Sequence, residues 1–292
     1  MTTAEELRPL LFSIAYRMVG SVGVAEELVQ DAYLRIHQEE RPVESPKAFL
    51  TTVVTRLAID HLRSARARRE QYVGPWMPEP LIGDTEPDPA ERAEIADSLS
   101  IAFLVVLETL SPVERAVFLL HDVFDYGFDE IARIVERSVE NCRQIAVRAR
   151  RRVEGRAPRF APSPQEREEL SERFFAALAD GDMDGLVDLL ARDAVFVGDG
   201  GGKATAISEP VHGAARIGRM LWAFANQGRR WHVTLERATV NGQPGAIVRD
   251  PQGRLVNVLA LDVAAGAIQA VRSIVNPEKL GHLGPVTDLT RP

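Results

Sequence analysis

LSPVERAVFLLHDVFDYGFDEIARIVERSVENCRQIAVRARRRV, residues Leu110 to Val153, is the stretch that decides how the rest of this 292-residue chain is read. Ser111 stands where an N-cap belongs, with Pro112 at the first helical position, where a missing N–H costs nothing. Val113, Ala116, Val117, Leu120 and Val123 recur at spacings of three and four, giving one apolar stripe. Gly127 interrupts it, and Phe128, Ile131, Ala132 and Val135 predict a second helix. After a turn at Glu136-Arg137, Ser138 is placed to cap a third. There Val139, Cys142, Ile145, Ala146 and Ala149 face inward, while Glu140, Asn141, Arg143, Gln144, Val147 and Arg148 face out or flank the seam. This is the pattern of a helix-turn-helix. Arg and Gln make bidentate contacts to base edges, and the arginines at 148, 150, 151 and 152 suit phosphate. The competing reading is a solvated arginine face on an ordinary bundle helix.

The sequence around this block bounds the alternatives. A chain of 292 residues exceeds the usual single-domain size, and 45% apolar residues suffice for ordinary globular cores. The net charge of −7 argues against nucleic acid only if charge is evenly spread. It is not. Residues Arg56 to Arg69 hold five arginines against Asp60, and Arg143 to Arg156 hold six against Glu154. Two basic segments on an acidic protein point to directed contact with DNA. The lone cysteine, Cys142, lies on an apolar helix face, which excludes disulfides and argues against a metal site. No cofactor is expected. A signal peptide and a membrane-length apolar run are both lacking, so the expected compartment is the cytoplasm, without a membrane partner.

Upstream, Leu7, Leu10, Leu11, Ile14, Ala15 and Met18 predict an amphipathic helix over 5–19, closed by Gly20-Ser21. A second runs from about Val24 to Gln38, with Glu26, Glu27, Gln30, Asp31 and Arg35 on its polar side. Ser45-Pro46 opens a third, with an inner stripe of Phe49, Leu50, Val53, Val54, Leu57 and Leu62 and an outer line of Arg56, Asp60 and Arg63. Asp60 is spaced to hold both guanidinium groups in position, whether to aim them at DNA or as a surface ion pair.

The runs LLFSIAYRMVGSVGVAEELVQDAYLRI and SPKAFLTTVVTRLAIDHLRSARARR resemble region 2 of bacterial sigma factors of the extracytoplasmic-function (ECF) type, and Leu110 to Arg150 resembles their region 4. The resemblance implies a subunit that docks on core RNA polymerase and directs it to promoter DNA, region 2 reading and melting the −10 element and region 4 reading the −35 element. By position, Glu26, Glu27, Gln30 and Asp31 would meet the polymerase. Arg56, Asp60 and Arg63 would face the downstream element, and Ser138, Asn141, Arg143, Gln144, Arg148 and Arg151 the upstream one. The loop QEERPVES, residues 38–45, where a flipped base would be trapped, has no aromatic residue.

Between the two blocks Pro75, Pro78, Pro80, Pro87 and Pro89 prevent a regular helix, yet Tyr72, Trp76, Met77, Leu81 and Ile82 crowd the same linker. It docks on something, or packs beside its own domain. From Asp88 a capped helix is expected to lead into the helix-turn-helix. Beyond a second proline-rich connector, two helices at Glu168–Leu178 and Asp184–Leu190 precede strand-like runs AVFVG, RRWHVTLERATV, GAIVRD, LVNVLALDV and AIQAVRSIV, with a helix near 214–225. Helices followed by a curved antiparallel sheet predict an α+β cone.

FFAALADGDMDGLVDLLARDAVFVGDGGGK resembles the SnoaL-like branch of the NTF2-like superfamily. WMPEP (Trp76, Pro78, Glu79, Pro80), DGGGK (Asp199, Gly200, Gly201, Gly202, Lys203) and NPEKL (Asn276, Pro277, Lys279) mark the subgroup of ECF factors that carries such a tail. The resemblance implies that the glycine turn and NPEKL contact the linker and tie the cone to the sigma core; the expectation built on this is that the tail regulates the factor in place of a separate anti-sigma protein, with a small ligand or a protein as partner of the cone. On the residues alone Asp199 and Lys203 form the charged rim of a tight turn. The fold class is thus multidomain: two all-α sigma domains, a region 2 helical bundle and a region 4 helix-turn-helix, followed by an α+β NTF2/SnoaL-like cone. The boundaries are 1–70, a linker at 71–90, 91–156, a linker at 157–166, 167–284, and a tail at 285–292. The alternative is an isomerase- or cyclase-type enzyme or ligand sensor fused to a DNA-binding module, with Asp199, His212 and His232 as residues to test. No enzymatic activity is expected on the first reading.

Overall fold

The computed structural model describes residues 5–40, 42–69, 72–83, 98–154 and 163–288. The chain divides into two compact units, one built from residues 1–71 and 103–157, the other from 72–102 and 158–292.

In the first unit, α1 (Arg8–Val19) ends at Gly20, whose φ of 71° lets its N–H turn back to the Tyr16 carbonyl. Ser21 caps α2 (Val22–Gln38), and Ser45 caps α3 (Pro46–Arg69) through the Ala48 N–H. The three pack through Leu11, Ile14, Met18, Ala25, Val29, Leu50 and Val54, all buried. The buried face of α3 is Leu50, Thr51, Val54, Thr55, Ala58, Ile59 and Leu62. Phe49, Val53 and Leu57, expected inside, are only half-buried, because the face rotates to meet a second helical group.

That group begins with α4 (Ile101–Leu107); residues 84–97, where the helix expected from Asp88 would start, lie outside the described residues. α5 (Pro112–Phe118) opens with a capping box, Ser111 and Glu114 each bonding the other's backbone N–H. It continues as a π-helical turn, Leu119–Val123, that closes through Asp125 at φ 55°. α6 (Phe128–Val135) and α7 (Val139–Glu154) complete the helix-turn-helix, with Glu136 at φ 55° ending α6 and Ser138 capping α7.

The two helical blocks form a single compact body. Thr51 Oγ1 lies 3.0 Å from Tyr126 Oη, and buried Arg115 donates to the carbonyls of Met18 (2.6 Å) and Leu107 (2.8 Å) and pairs with Glu108. Arg17 sits 5.6 Å over the Phe124 ring, where burial lowers its pKa to about 10.

The second unit places α8 (Pro164–Asp180), α9 (Met183–Leu189) and α10 (Ala214–Arg230) with a six-stranded sheet in the order β2-β1-β6-β5-β4-β3. The strands are β1 (Leu190–Asp199), β2 (Val211–His212), β3 (Thr234–Val240), β4 (Gln243–Arg249), β5 (Leu255–Ala264) and β6 (Ala267–Ile274). Two expectations are corrected. The sheet is mixed, since β1 runs parallel to β6. Residues 229–233 of the expected strand RRWHVTLERATV are instead the end of α10 and a turn through His232 at φ 54°. Asn241 and Gly242, with φ of 52° and 70°, make the tight β3–β4 turn. Phe174, Phe175, Leu186, Phe196, Ile217, Leu261 and Val271 fill the interior between helices and sheet.

Candidate functional site: a nucleic-acid interface and a linker seat

On α7, Cys142, Ile145, Ala146, Ala149 and Val153 are buried, and Glu140, Arg143, Gln144, Val147, Arg148 and Arg151 are exposed on the opposite side. The Cys142 thiol is pushed up by burial, as befits a core residue. Ser138 Oγ accepts the Asn141 N–H at 3.2 Å, so this hydroxyl serves the helix cap, and Asn141 is half-buried. Arg143 stacks 5.8 Å over Phe128, whose ring lies 4.1 Å from that of His121. His121 is fixed in turn by Nδ1 at 3.1 Å from the Tyr126 carbonyl.

Not every arginine of the helix is available to phosphate. Arg150 Nε bonds Asp122 at 2.9 Å, and Arg152 grips both oxygens of Glu114 at 2.9 and 3.0 Å. Burial alone would raise the Glu114 carboxyl, but hydrogen bonds from Ser111 and the charge of Arg152 outweigh it and bring it down. Among the described residues Arg148 and Arg151 make no such pair and remain directed to solvent.

On α3, Asp60 pairs at 3.0 Å with Arg63 but not with Arg56, correcting the three-residue cluster expected there. Arg56 turns to α6, donating through Nε to the Ile134 carbonyl (2.9 Å) and through Nη2 to that of Arg133 (2.8 Å), while Nη1 pairs with Glu136 at 3.0 Å. A guanidinium at a helix C-terminus meets unsatisfied carbonyls at the negative end of the dipole. On α2, Glu26 pairs with Arg8, and Glu27, Gln30 and Asp31 are exposed.

The linker seat lies within the second unit. Asp199, at the end of β1, is fully buried, which corrects its placement on a charged rim. Its Oδ1 accepts the Tyr72 hydroxyl at 2.5 Å, and its Oδ2 accepts the Met77 N–H at 2.7 Å and Lys279 Nζ at 2.6 Å. Lys279 also donates to the Met77 carbonyl, with its ammonium 4.6 Å from the centre of the Tyr72 ring and 4.7 Å from that of Trp76. Asn276 caps α11 (Pro277–Leu280) through the Glu278 N–H and donates to Tyr72 Oη at 2.9 Å. Burial, reinforced by the bond to Asp199, raises the Tyr72 pKa well above its ordinary value.

WMPEP thus lies on both other motifs. Met77, Pro78 and Pro80 are buried, Trp76 and Glu79 half-buried, and the Pro80 carbonyl takes the Nε2–H of His282 at 2.9 Å. The glycines serve close approach. A Cβ on Gly201, where φ is 57°, would run into Asn276 Nδ2 and come within 2.8 Å of Tyr72 Oη, and one on Gly202 would lie 3.1 Å from Val73 Cβ. On Gly200 it would stand 2.6 Å from the Ala204 carbonyl oxygen. Lys203 is the rim residue, paired with Glu278 at 2.7 Å.

Asn241 extends the seat, a residue that sequence reasoning passed over. Its side chain bonds the Leu81 N–H (3.0 Å) and the Leu99 carbonyl (3.1 Å), and its own N–H takes the Leu81 carbonyl at 2.8 Å. Ile82 then bridges to Val240 beside β3. The Asn-Gly turn in the sequence was the available signal.

The three residues proposed for an enzyme do not assemble. Both oxygens of Asp199 are engaged by the linker and Lys279, and His212 and His232 are exposed without a hydrogen bond to it among the described residues. Among those residues no group of three His, Cys, Asp or Glu is placed to hold a metal, and no helix is long and apolar enough to cross a membrane.

Comparison with known proteins matches three family models in succession along the chain. Sigma-70 region 2 matches residues 3–68, sigma-70 region 4 residues 100–153, and the SnoaL-like domain residues 171–268. The ECF RNA polymerase sigma factor SigJ of Mycobacterium tuberculosis strain H37Rv is 37% identical over 284 residues, covering 94% of this chain and 91% of that protein. The probable ECF RNA polymerase sigma factor SigI of the same species is 33% identical over 285 residues, covering 94% and 93%. The crystal structure of M. tuberculosis SigJ superposes with a TM-score of 0.76 at 34% identity, covering 97% of this chain and 98% of that one. With both sigma regions in order and a SnoaL-like domain behind them, the chain belongs to the ECF family of RNA polymerase sigma factors.

Proposed function

We propose that this chain carries core RNA polymerase to promoters, with α7 reading the upstream element, α3 facing the downstream one, and the exposed Glu27, Gln30 and Asp31 of α2, with Glu26, meeting the polymerase. The observation that carries the reading is the division of α7 into a closed apolar side and an open side bearing Arg143, Gln144, Arg148 and Arg151. Phosphate contacts by Arg148 and Arg151 fix register, while Arg143 and Gln144 reach base edges. Arg56 serves α6 in the compact unit, and the same guanidinium reaches promoter DNA only after releasing those carbonyls.

The SnoaL-like domain acts on the linker. WMPEP, seated on Asp199 and Lys279, with Tyr72 held by Asn276 beside the Gly200–Gly202 turn, restricts how the segments on either side of it are placed. A small ligand or protein that favours the seated or the released linker shifts the population accordingly. Run-off transcription with purified core polymerase tests both parts. Arg148→Ala weakens promoter binding about uniformly across sequences and reduces the salt slope by roughly 1, whereas Gln144→Ala changes base preference at a cost of about 1–3 kcal/mol. Output that Trp76→Ala and Lys203→Ala both leave unchanged removes the linker from regulation. Absence of any promoter-dependent transcript overturns the main assignment.

A further inference from the structure

The open side of α7 carries one side chain that neither charge nor hydrogen bonding explains. Among its exposed residues Glu140, Arg143, Gln144, Val147, Arg148 and Arg151, only Val147 is apolar, and it is 47% exposed. The core on the other side is filled by Cys142, Ile145 and Ala146, and Val147 is not among the buried residues of the helix. A β-branched residue is also a poorer helix former than the alanine, lysine or arginine that a solvated position accommodates. Glu140, Arg143, Gln144 and Arg148 surround it in a shallow, open depression.

The neighbours are held off its centre. Arg143 lies over the Phe128 ring, and Gln144 donates to Glu140 at 3.4 Å, one turn back along the helix. What remains is a small apolar knob inside a polar, arginine-bearing surface. The arginines select a polyanion as the occupant rather than an apolar protein face. Within the major groove of duplex DNA the apolar group on the base edges is the C5-methyl of thymine.

We propose that Val147 is a specificity-determining residue that reads a thymine methyl in the upstream promoter element. The inference rests on the assignment of α7 as the promoter reader and adds to it the identity of one base and the contact that selects it. Arg148 and Arg151 hold the helix in the groove, Arg143 and Gln144 address neighbouring base edges, and the isopropyl group meets the methyl face to face.

Replacing thymine by uracil deletes that methyl and leaves every other groove group and the base pairing unchanged. The full chain, bound to core polymerase, first selects its upstream element from randomised duplexes. Each thymine of that element, on either strand, is then replaced singly by uracil. At one position the replacement weakens binding of the parent protein roughly fourfold, the value of one methyl group removed from water. Val147→Ala loses a similar factor on the thymine duplex and no longer distinguishes it from the uracil duplex. A parent protein indifferent to uracil at every position overturns the proposal, as does a Val147→Ala protein that keeps the full discrimination, or a selected element without A·T pairs. If no element is selected at all, the promoter-reading assignment of α7 falls with it. A selected element that contains thymine but shows no uracil effect removes Val147 alone.

Discussion

Removing the charge of Asp199 should unseat the linker, and its size follows from the geometry. The carboxylate is fully buried and accepts three donors, from Tyr72, the Met77 backbone and Lys279. In Asp199→Asn the side-chain volume is kept, but the buried Lys279 ammonium loses the negative charge that balances it, while the Met77 carbonyl and the two aromatic faces stay beside it. Breaking a buried ion pair from one side costs about 3–5 kcal/mol, mostly the penalty of the charge left behind. At about 1.36 kcal/mol per factor of ten, the ratio of seated to released linker falls by roughly two to nearly four powers of ten. Hydrogen exchange reads this directly at the Met77 amide, whose N–H bonds Asp199. Acrylamide quenching of Trp76 gives a second reading over the steady background of Trp222 and Trp231, already 43% and 57% exposed. Replacing the partner as well, in Asp199→Asn with Lys279→Met, removes the stranded charge. The double variant should therefore be less perturbed than Asp199→Asn alone. Unchanged Met77 protection in Asp199→Asn, or a double variant as damaged as the sum of the single ones, would refute the electrostatic account of the seat.

Three further outcomes follow from other contacts. Because the folded pKa of Tyr72 is raised, its contribution to the seat is fully present below the ordinary phenol value of about 10 and is lost as pH rises above it. Trp76 emission should show an alkaline step that Tyr72→Phe lacks, and an identical step in both proteins counts against this. Asp250 behaves in the opposite sense. Burial alone would raise its carboxyl, but bonds from Thr287, Arg254 and Gln252 bring it down to about 2. The support this gives to the pairing of Val286 beside Leu255 is present above the unfolded value of about 3.9 and is lost as pH falls through the folded one. Thr287→Ala should move the titration seen by carbon-detected NMR upward, and an unmoved midpoint contradicts the assignment. Finally, Arg56→Ala should lower the unfolding free energy of the first unit by about 1 kcal/mol, since the guanidinium is 42% exposed and partly screened. Urea melts with no shift of midpoint would show that the contact to α6 is energetically idle.

What the sequence disclosed, and what it withheld, divides by the distance over which each feature is decided. Ser45-Pro46 and Ser111-Pro112 announce their helices because a cap is settled within three residues, as the Ala48 and Glu114 N–H bonds demonstrate, whereas Ser21, read as the close of the first helix, caps the second through the Val24 N–H. RRWHV failed for a matching reason. Its alternation of polar and apolar residues suits a strand, but α10 runs on through Arg230, and the chain turns only at His232. The parallel β1–β6 pair was out of reach of any local pattern, since Asp199 meets Ile274 across most of the cone.

The sites obey the same rule, with electrostatics choosing between near and far partners. Beside three glycines and a lysine, Asp199 has the surroundings of an exposed turn; its burial is set by Tyr72, 127 residues earlier, and Lys279, 80 residues later. Arg56 had a carboxylate available four residues away, and such an exposed helix pair is worth about 0.3–0.5 kcal/mol. Helix α6 offers it two carbonyls without intrahelical partners, the negative end of a dipole and the Glu136 carboxylate together. Against that sum the local pair loses, so the guanidinium assigned to promoter DNA from its position on α3 spends the compact state holding the helix-turn-helix to its own bundle. The identity of the residue was legible, while its alternative employment depended on a helix end 77 and 78 residues downstream.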